Sequence, residues 1–293
     1  MNGIIPVFKE KGYTSFDAIA KLRRILHIKK MGHTGTLDPD AEGVLVICVG
    51  AATRLIPLFS DDTKSYEAVL RLGIVTDTQD MTGTVLSEKE VTCTEEELRA
   101  CAMSFQGGYL QTPPAYSAKQ VDGKRLYALA REGKSAVAPP KQVELDLAVE
   151  SIDLPFARLS VTCSKGTYIR TLCHDIGAKL GCGGTMASLL RTRCGRVDIS
   201  MCRTIPEIGE CAGRGDLSFL IPPEDFFSEY SSLHVSGQTA HLALNGNRFR
   251  CRGAFDDSEV IKVFTEDKGM IGLFRYDKKY RVLRPYIIFP RES

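Results

Sequence analysis

The chain has 293 residues, of which 43% are apolar and 25% charged, and its net charge is +2. That balance excludes a disordered or collagen-like chain, and the length allows one large domain with a small one beside it. The longest apolar run, Val44 to Ala52, is far too short to cross a bilayer.

Lys9 and Lys11 interrupt the apolar start, so no secretory leader is expected and a reduced, cytoplasmic setting suits the ten cysteines. No Cys-x-x-Cys pair and no His pair at ligand spacing occurs, so no structural metal is expected. Cys173 reads as core-facing.

Thr14, Ser15 and Asp17 introduce a helix, with Ser15 as its N-cap and Phe16, Ile19, Leu22, Ile25 and Leu26 as its apolar repeat. Met31 to Gly43 is rich in Gly and Pro and reads as a loop. Val44 to Val49 fits either a buried strand or part of a short helix. Tyr66, Ala68, Leu70 and Leu72 alternate with other residues, which puts Tyr66 on one strand face with Leu70. Thr94 and Glu97 form a capping-box signature before a helix closed by Gly107 and Gly108. Leu126, Leu129 and Ala130 mark a short helix ending near Gly133, and Val137 to Lys141 reads as a linker or turn. Leu159, Val161 and Cys163 mark a half-buried strand. Ile169, Leu172, Cys173, Ile176 and Leu180 then follow helix spacing up to Gly181. Ile221 to Glu224 is a boundary, and from Ser231 onward short alternating segments predict a small β-rich domain. The irregular alternation of strands and helices before it favours an α+β fold over a doubly wound sheet.

Basic residues gather in four groups: Arg23, Arg24, Lys29 and Lys30; Lys119, Lys124 and Arg125; Lys165, Arg170, Arg191, Arg193 and Arg196; and Arg248, Arg250, Arg252, Lys278, Lys279, Arg281 and Arg284. Local basic surfaces on a near-neutral chain suit an RNA binder, and they also fit ordinary solvated faces.

The densest polar constellation is Gly32-His33-Thr34-Gly35-Thr36-Leu37-Asp38-Pro39. Two glycines permit tight turns and Pro39 fixes the backbone after the acid, so the loop can aim Asp38 into a cleft. A carboxylate so held can serve as nucleophile, base or electrostatic stabiliser, whereas an ordinary Asp-Pro turn would carry no chemistry. Ser164 to Arg170 sits at a strand-to-helix junction. From there Arg170 can pair with Asp38 and keep it ionised, or lie on the surface near a helix start. Tyr66 fits core packing or a ring stacked on a base. No phosphate-cradling glycine loop and no Ser-His-Asp order is present, and nothing calls for a metal or organic cofactor.

The stretch Gly32 to Pro39 resembles the catalytic motif of TruB-type pseudouridine synthases. Further stretches match in the same order: Asn2-Gly3-Ile4 with Thr14-Ser15-Phe16-Asp17; Leu72-Gly73 with Thr76-Asp77-Thr78 and Asp80; Tyr116-Ser117-Ala118-Lys119; Gly123 to Tyr127; and Ser164 to Thr171. Phe8-Lys9-Glu10 departs from the Asp-Lys-Pro often found there. The resemblance implies that Asp38 attacks the target uridine, that Tyr66 stacks on the base and takes part in proton removal, and that Arg170 pairs with the aspartate. It further implies that Tyr168 and Leu189 (with Leu190 beside it) line the pocket, that His33 holds the T-loop once uridine is flipped out, and that Lys64 and Lys119 bind substrate.

The fold implied is a pseudouridine synthase domain over 1–225, with a mixed, largely antiparallel sheet, helices and an RNA-binding cleft. A small PUA-like, RNA-contacting β domain follows over 231–293. The partner implied is the T-arm of tRNA, with uridine 55 isomerised by a cytoplasmic monomer that needs no protein partner and no cofactor. An RNA-guided relative acting on ribosomal RNA, a non-enzymatic tRNA-binding module and a glycoside hydrolase using Asp77 or Asp80 as second acid are the competing readings.

Overall fold

The computed structural model describes residues 1–61, 63–117, 119–121, 123–132, 137–251 and 253–289. An eight-stranded sheet runs in the order Gly3–Lys9, Glu42–Val49, Gly184–Cys194, Lys64–Leu72, Phe156–Cys163, Leu145–Asp153. Met31–His33 pairs beside Glu42–Val49, and Val197–Asp198 beside Gly184–Cys194. Every pairing is antiparallel except one, where Leu190 and Arg191 run parallel to Glu42 and Gly43. The expected α+β class with a mixed, largely antiparallel sheet is therefore what forms.

Glu42–Val49 resolves the ambiguity of its sequence. It is a strand, and its apolar run is continuous because both faces are buried. Leu45, Ile47 and Val49 face the core covered by the helices Ser15–Leu26, Glu95–Met103, Ile169–Leu180 and Ile205–Gly213. Val44, Val46 and Cys48 face a second cluster with Leu55, Phe59, Phe226 and Leu273. In Lys64–Leu72, Tyr66, Ala68, Leu70 and Leu72 point to the first core, as the alternation predicts. Ala157, Leu159, Val161 and Cys163 do the same from Phe156–Cys163. Cys173 is fully buried.

Several boundaries differ from expectation. The N-cap of the first helix is Thr14, not Ser15: the Thr14 side chain accepts from the Asp17 N–H, and the Asp17 carboxylate accepts from the Thr14 N–H, closing a capping box. Ser15 turns inward instead. Phe16 also leaves the predicted stripe. The buried face comprises Ser15, Ala18, Ile19 and Leu22, and Phe16 lies about 60° beyond its Ile19 edge.

Met31–Gly43 is only partly a loop, since Met31–His33 forms a short strand and the next strand begins at Glu42. The helix capped by Thr94 ends at Met103, before Gly107 and Gly108, which make the turn beyond it. Lys141, placed in a linker, already begins a strand paired with Tyr109–Gln111. The helix Leu126–Arg131 is present, and the end expected at Gly133 lies outside the described residues, as do Ala118 and Arg252. Among the described residues no helix is long and apolar enough to cross a membrane.

The segment after residue 231 forms a five-stranded sheet in the order Ser232–Val235, Val260–Thr265, Gly269–Asp277, Val282–Ile288, Phe249–Arg250. The unanticipated helix Gly237–Leu244 joins its core, which includes Phe249, Ile261, Val263, Phe274 and Leu283. The predicted boundary is itself fastened: Ile221 and Ile4 exchange both backbone hydrogen bonds, at 2.8 and 2.9 Å. Arg196, grouped above with RNA-facing cations, serves this junction. It lies over the Phe226 and Phe227 rings, donates to the Phe226 carbonyl and pairs with Glu229.

Candidate active site

The loop between His33 and Glu42 leads into the strand Glu42–Val49 at the point where that strand pairs in parallel with Gly184–Cys194. Its turn is closed by the Ala41 N–H donating to the Asp38 carbonyl at 3.1 Å, and the Thr34 N–H donates to Val46 at 3.1 Å. Ser15 anchors it from the first helix: its hydroxyl accepts from the Leu37 N–H at 2.9 Å and donates to the Leu37 carbonyl at 3.2 Å.

Two buried cations grip the loop from below. The Lys9 ammonium donates to the carbonyls of Glu10, Pro39 and Ala41 at 3.0, 2.9 and 2.8 Å. Burial pulls its pKa down to about 8, against the opposing charges of Asp40, Asp38 and Glu42. Arg191 is 1% exposed. Its Nε donates to the Val44 carbonyl at 2.6 Å, and its two terminal nitrogens to Thr36 and Gly35 at 3.3 and 3.2 Å. Gly43, at φ +103°, has the Arg191 backbone directly against it, where a Cβ would collide with the carbonyl, so only glycine fits.

Asp38 emerges from this grip with its side chain 42% exposed, and its Oδ2 lies 3.3 Å from Arg170 Nε. The contact is one of charge, since the Nε–H is not aligned for a hydrogen bond and has no other partner. Arg170 is otherwise fixed, donating to the Thr78 carbonyl at 3.2 Å and the Tyr116 carbonyl at 2.7 Å. A buried guanidinium, held by two carbonyls and facing a half-exposed carboxylate, fixes the direction in which that acid points.

A cavity of about 780 Å³ opens over the pair, lined also by His33, Lys64, Tyr66, Tyr168 and Leu189. Tyr66 is 8% exposed, and burial raises its phenol pKa, with the Arg191 charge opposing the rise. Leu189 lines the cavity and Leu190 does not. Tyr168 sits at the N-cap of Ile169–Leu180, under the Arg170 guanidinium at 5.8 Å. Seven of the eight residues singled out by sequence therefore share this cavity. Lys119 does not line it. It is exposed, and its carbonyl accepts from the Leu126 N–H.

Sequence reasoning missed three residues that build the site. Arg191 was counted as a surface cation and Lys9 as an interruption of an apolar start. In both cases the strand phase was the available signal, since Arg191 is two residues from Leu189 and Lys9 two from Val7, each continuing a buried row. Gln111 is 1% exposed. Its amide accepts from the Tyr168 N–H at 2.7 Å and donates to the Tyr168 carbonyl at 3.0 Å, and no local pattern betrays it.

His33 carries a pH dependence. Burial first, and the Arg191 charge second, hold its imidazole below the ordinary 6.5. The unfolded chain therefore takes up the proton first as pH falls, so this contribution to stability is complete above 6.5 and is lost on acidification through the lower folded value. Urea unfolding between about pH 5 and 7 is expected to show a steeper acid loss of stability for the wild type than for His33→Gln. Equal slopes would contradict the assignment.

Residues 23–169 match the family described as TruB family pseudouridylate synthase (N terminal domain), and residues 170–217 match the tRNA pseudouridylate synthase B C-terminal domain. Among curated relatives, the tRNA pseudouridine synthase B of Clostridium tetani is 40% identical over 95% of this chain and 97% of its own. That of Alkaliphilus oremlandii is 43% identical over the whole of both chains. That of Thermotoga maritima is 40% identical over 93% of this chain and 89% of its own. The fold is shared with an H/ACA ribonucleoprotein bound to a substrate RNA containing 2′-deoxyuridine, at TM-score 0.71 and 20% identity, covering 99% of this chain and 85% of that one. An archaeal box H/ACA complex matches at TM-score 0.70 and 21% identity, covering 99% and 87%. The loop that grips Asp38, the arginine that faces it and these full-length matches agree, and the chain belongs to the TruB family of pseudouridylate synthases.

Proposed function

We infer that the protein isomerises uridine to pseudouridine in tRNA, with Asp38 as the reacting carboxylate. The observation that carries this is the Asp38–Arg170 pair on the wall of a nucleoside-sized cavity. The reaction breaks the bond from ribose C1′ to N1 of uracil, turns the base, and joins C1′ to C5. The C5 proton leaves and N1 gains one, so nothing is oxidised and no group is lost. Asp38 meets the ribose or assists elimination. Tyr66, buried in the wall, packs on the base and takes part in proton removal at C5. Leu189 and Tyr168 keep water from the detached base, which hydrolysis would otherwise intercept.

The target is the T-loop uridine, position 55, read through the shape of the T-arm. His33 on the rim meets the loop once the uridine is extruded, at a cost of a few kcal/mol that basic contacts offset. Lys64 in the cavity and Lys119 outside it serve the RNA backbone.

Residues 1–225 act as the catalytic domain and 231–293 as a PUA-like RNA-contacting domain. A second cavity, of about 750 Å³, supports the latter role: Arg275 lies 4.3 Å over the Tyr286 ring, and Tyr280 is 58% exposed. The enzyme works as a cytoplasmic monomer on bare tRNA, without guide RNA. Tritium release from tRNA carrying C5-labelled uridine, using the purified chain alone and with the product site mapped, tests the whole reading. Release from whole tRNA and from an isolated T-arm stem-loop is expected. No release without a guide RNA would favour the RNA-guided alternative.

A further inference from the structure

Phe16 is 68% exposed, on a helix whose apolar face is otherwise turned inward. Burying such a ring is favourable, and the fold leaves that gain unrealised. Single exposed apolar side chains are ordinary, and Leu110 and Val137 are others here. Phe16 differs in its place: of the large hydrophobic side chains that stand exposed among the described residues, it is the one that lines the cavity of Asp38. Its backbone is held there, inside the Thr14–Asp17 capping box and next to Ser15, which is tied to Leu37. Its ring and the His33 ring form a T-shaped pair, with centroids 5.2 Å apart and planes at 80°, a contact that covers at most one of the two Phe16 faces.

We propose that Phe16 is a stacking platform for the nucleobase adjoining the target uridine, working beside His33 on the rim. The inference rests on the reading of the cavity as a uridine site. Extruding one nucleotide leaves its neighbour with an unstacked face, and an aromatic ring on a rigid element replaces the lost stack without regard to base identity. Because the ring is wet in the free protein, its burial is realised only when RNA is bound. It therefore lowers KM without adding to the stability of the free enzyme.

The test uses four variants and one probe. Phe16→Ala and Phe16→Leu are each expected to raise KM for tRNA about ten-fold, with a smaller change in kcat and no change in thermal midpoint, ten-fold being about 1.4 kcal/mol. Phe16→Tyr and Phe16→Trp retain wild-type KM. Phe16→Leu is the deciding variant, because it keeps apolar bulk against His33 and removes the flat face; wild-type KM in that variant overturns the proposal. In parallel, 2-aminopurine is placed on the 5′ or the 3′ side of the target uridine in a T-arm stem-loop. Its fluorescence should be quenched by wild-type protein and not by Phe16→Leu, at one of the two positions; equal quenching by both proteins at both positions also overturns it. A wild type that binds and quenches but never releases tritium would strike the proposed function instead, while the quenching arm still decides this contact.

Discussion

Replacing Asp38 by Asn is expected to leave a folded protein that binds tRNA and turns it over at least about 1000-fold more slowly, a barrier higher by roughly 4 kcal/mol. The two side chains have the same shape, so the loss isolates the charge. The fold does not depend on that charge. Asp38 stands 42% exposed and its contact with Arg170 is not an aligned hydrogen bond, so its removal should alter stability by less than about 1 kcal/mol. Arg170 keeps its bonds to the Thr78 and Tyr116 carbonyls and stays in place. Binding and catalysis therefore separate cleanly. Filter binding should give wild-type affinity within a few-fold while single-turnover tritium release collapses. Substantial turnover by the Asn variant would remove Asp38 from the chemistry, and loss of both functions would point to misfolding, which an unchanged unfolding midpoint would rule out.

The second large effect is expected at Arg191. Arg191→Met keeps an apolar stem of similar width and removes all three hydrogen bonds, leaving the Val44, Thr36 and Gly35 carbonyls without that donor. The Val44 contact is buried, and stranding that carbonyl costs about 1–3 kcal/mol; with the two part-buried contacts and the space the guanidinium vacates, urea unfolding should register a total loss of at least about 3 kcal/mol. The rate should fall at least about 100-fold, because two of those carbonyls belong to the loop that aims Asp38, and a displacement near 1 Å is costly at a reacting atom. Arg191→Lys distinguishes the two effects. It restores the buried charge but supplies one nitrogen where the guanidinium spreads three, so it should recover part of the stability and little of the rate. A Lys variant with wild-type kcat would show that the charge beside Tyr66 matters and the grip on the loop does not.

The polar half of the site could be read from the sequence because its residues sit in one short, unusual string. Gly32 to Pro39 combines backbone freedom, backbone restraint and an acid, and no regular element needs that combination. Tyr66 was legible as a strand residue facing inward, and the geometry adds that inward here means toward the cavity wall. The supports were hidden for a different reason. Lys9 and Arg191 are charged, and a charge in sequence is read as solvent-facing, yet each sits in phase with a buried strand row. Gln111 acts across more than fifty residues of chain on a backbone, which no spacing rule can see. The N-cap was misplaced by one residue because Thr14 and Ser15 are both good caps. What separates them is Ser15's bond to Leu37, a tertiary contact.

The strand Glu42–Val49 has one face against the helices and the other against residues as distant as Met270 and Leu273. The stretch that follows the reactive loop is thus supported from behind by the last part of the chain. Shortening the protein at residue 230 would not yield a smaller working enzyme. It would strip Met270 and Leu273 from the cluster that Leu55, Phe59, Phe226 and Phe227 complete behind this strand, and the apolar surface so exposed should make the fragment self-associate.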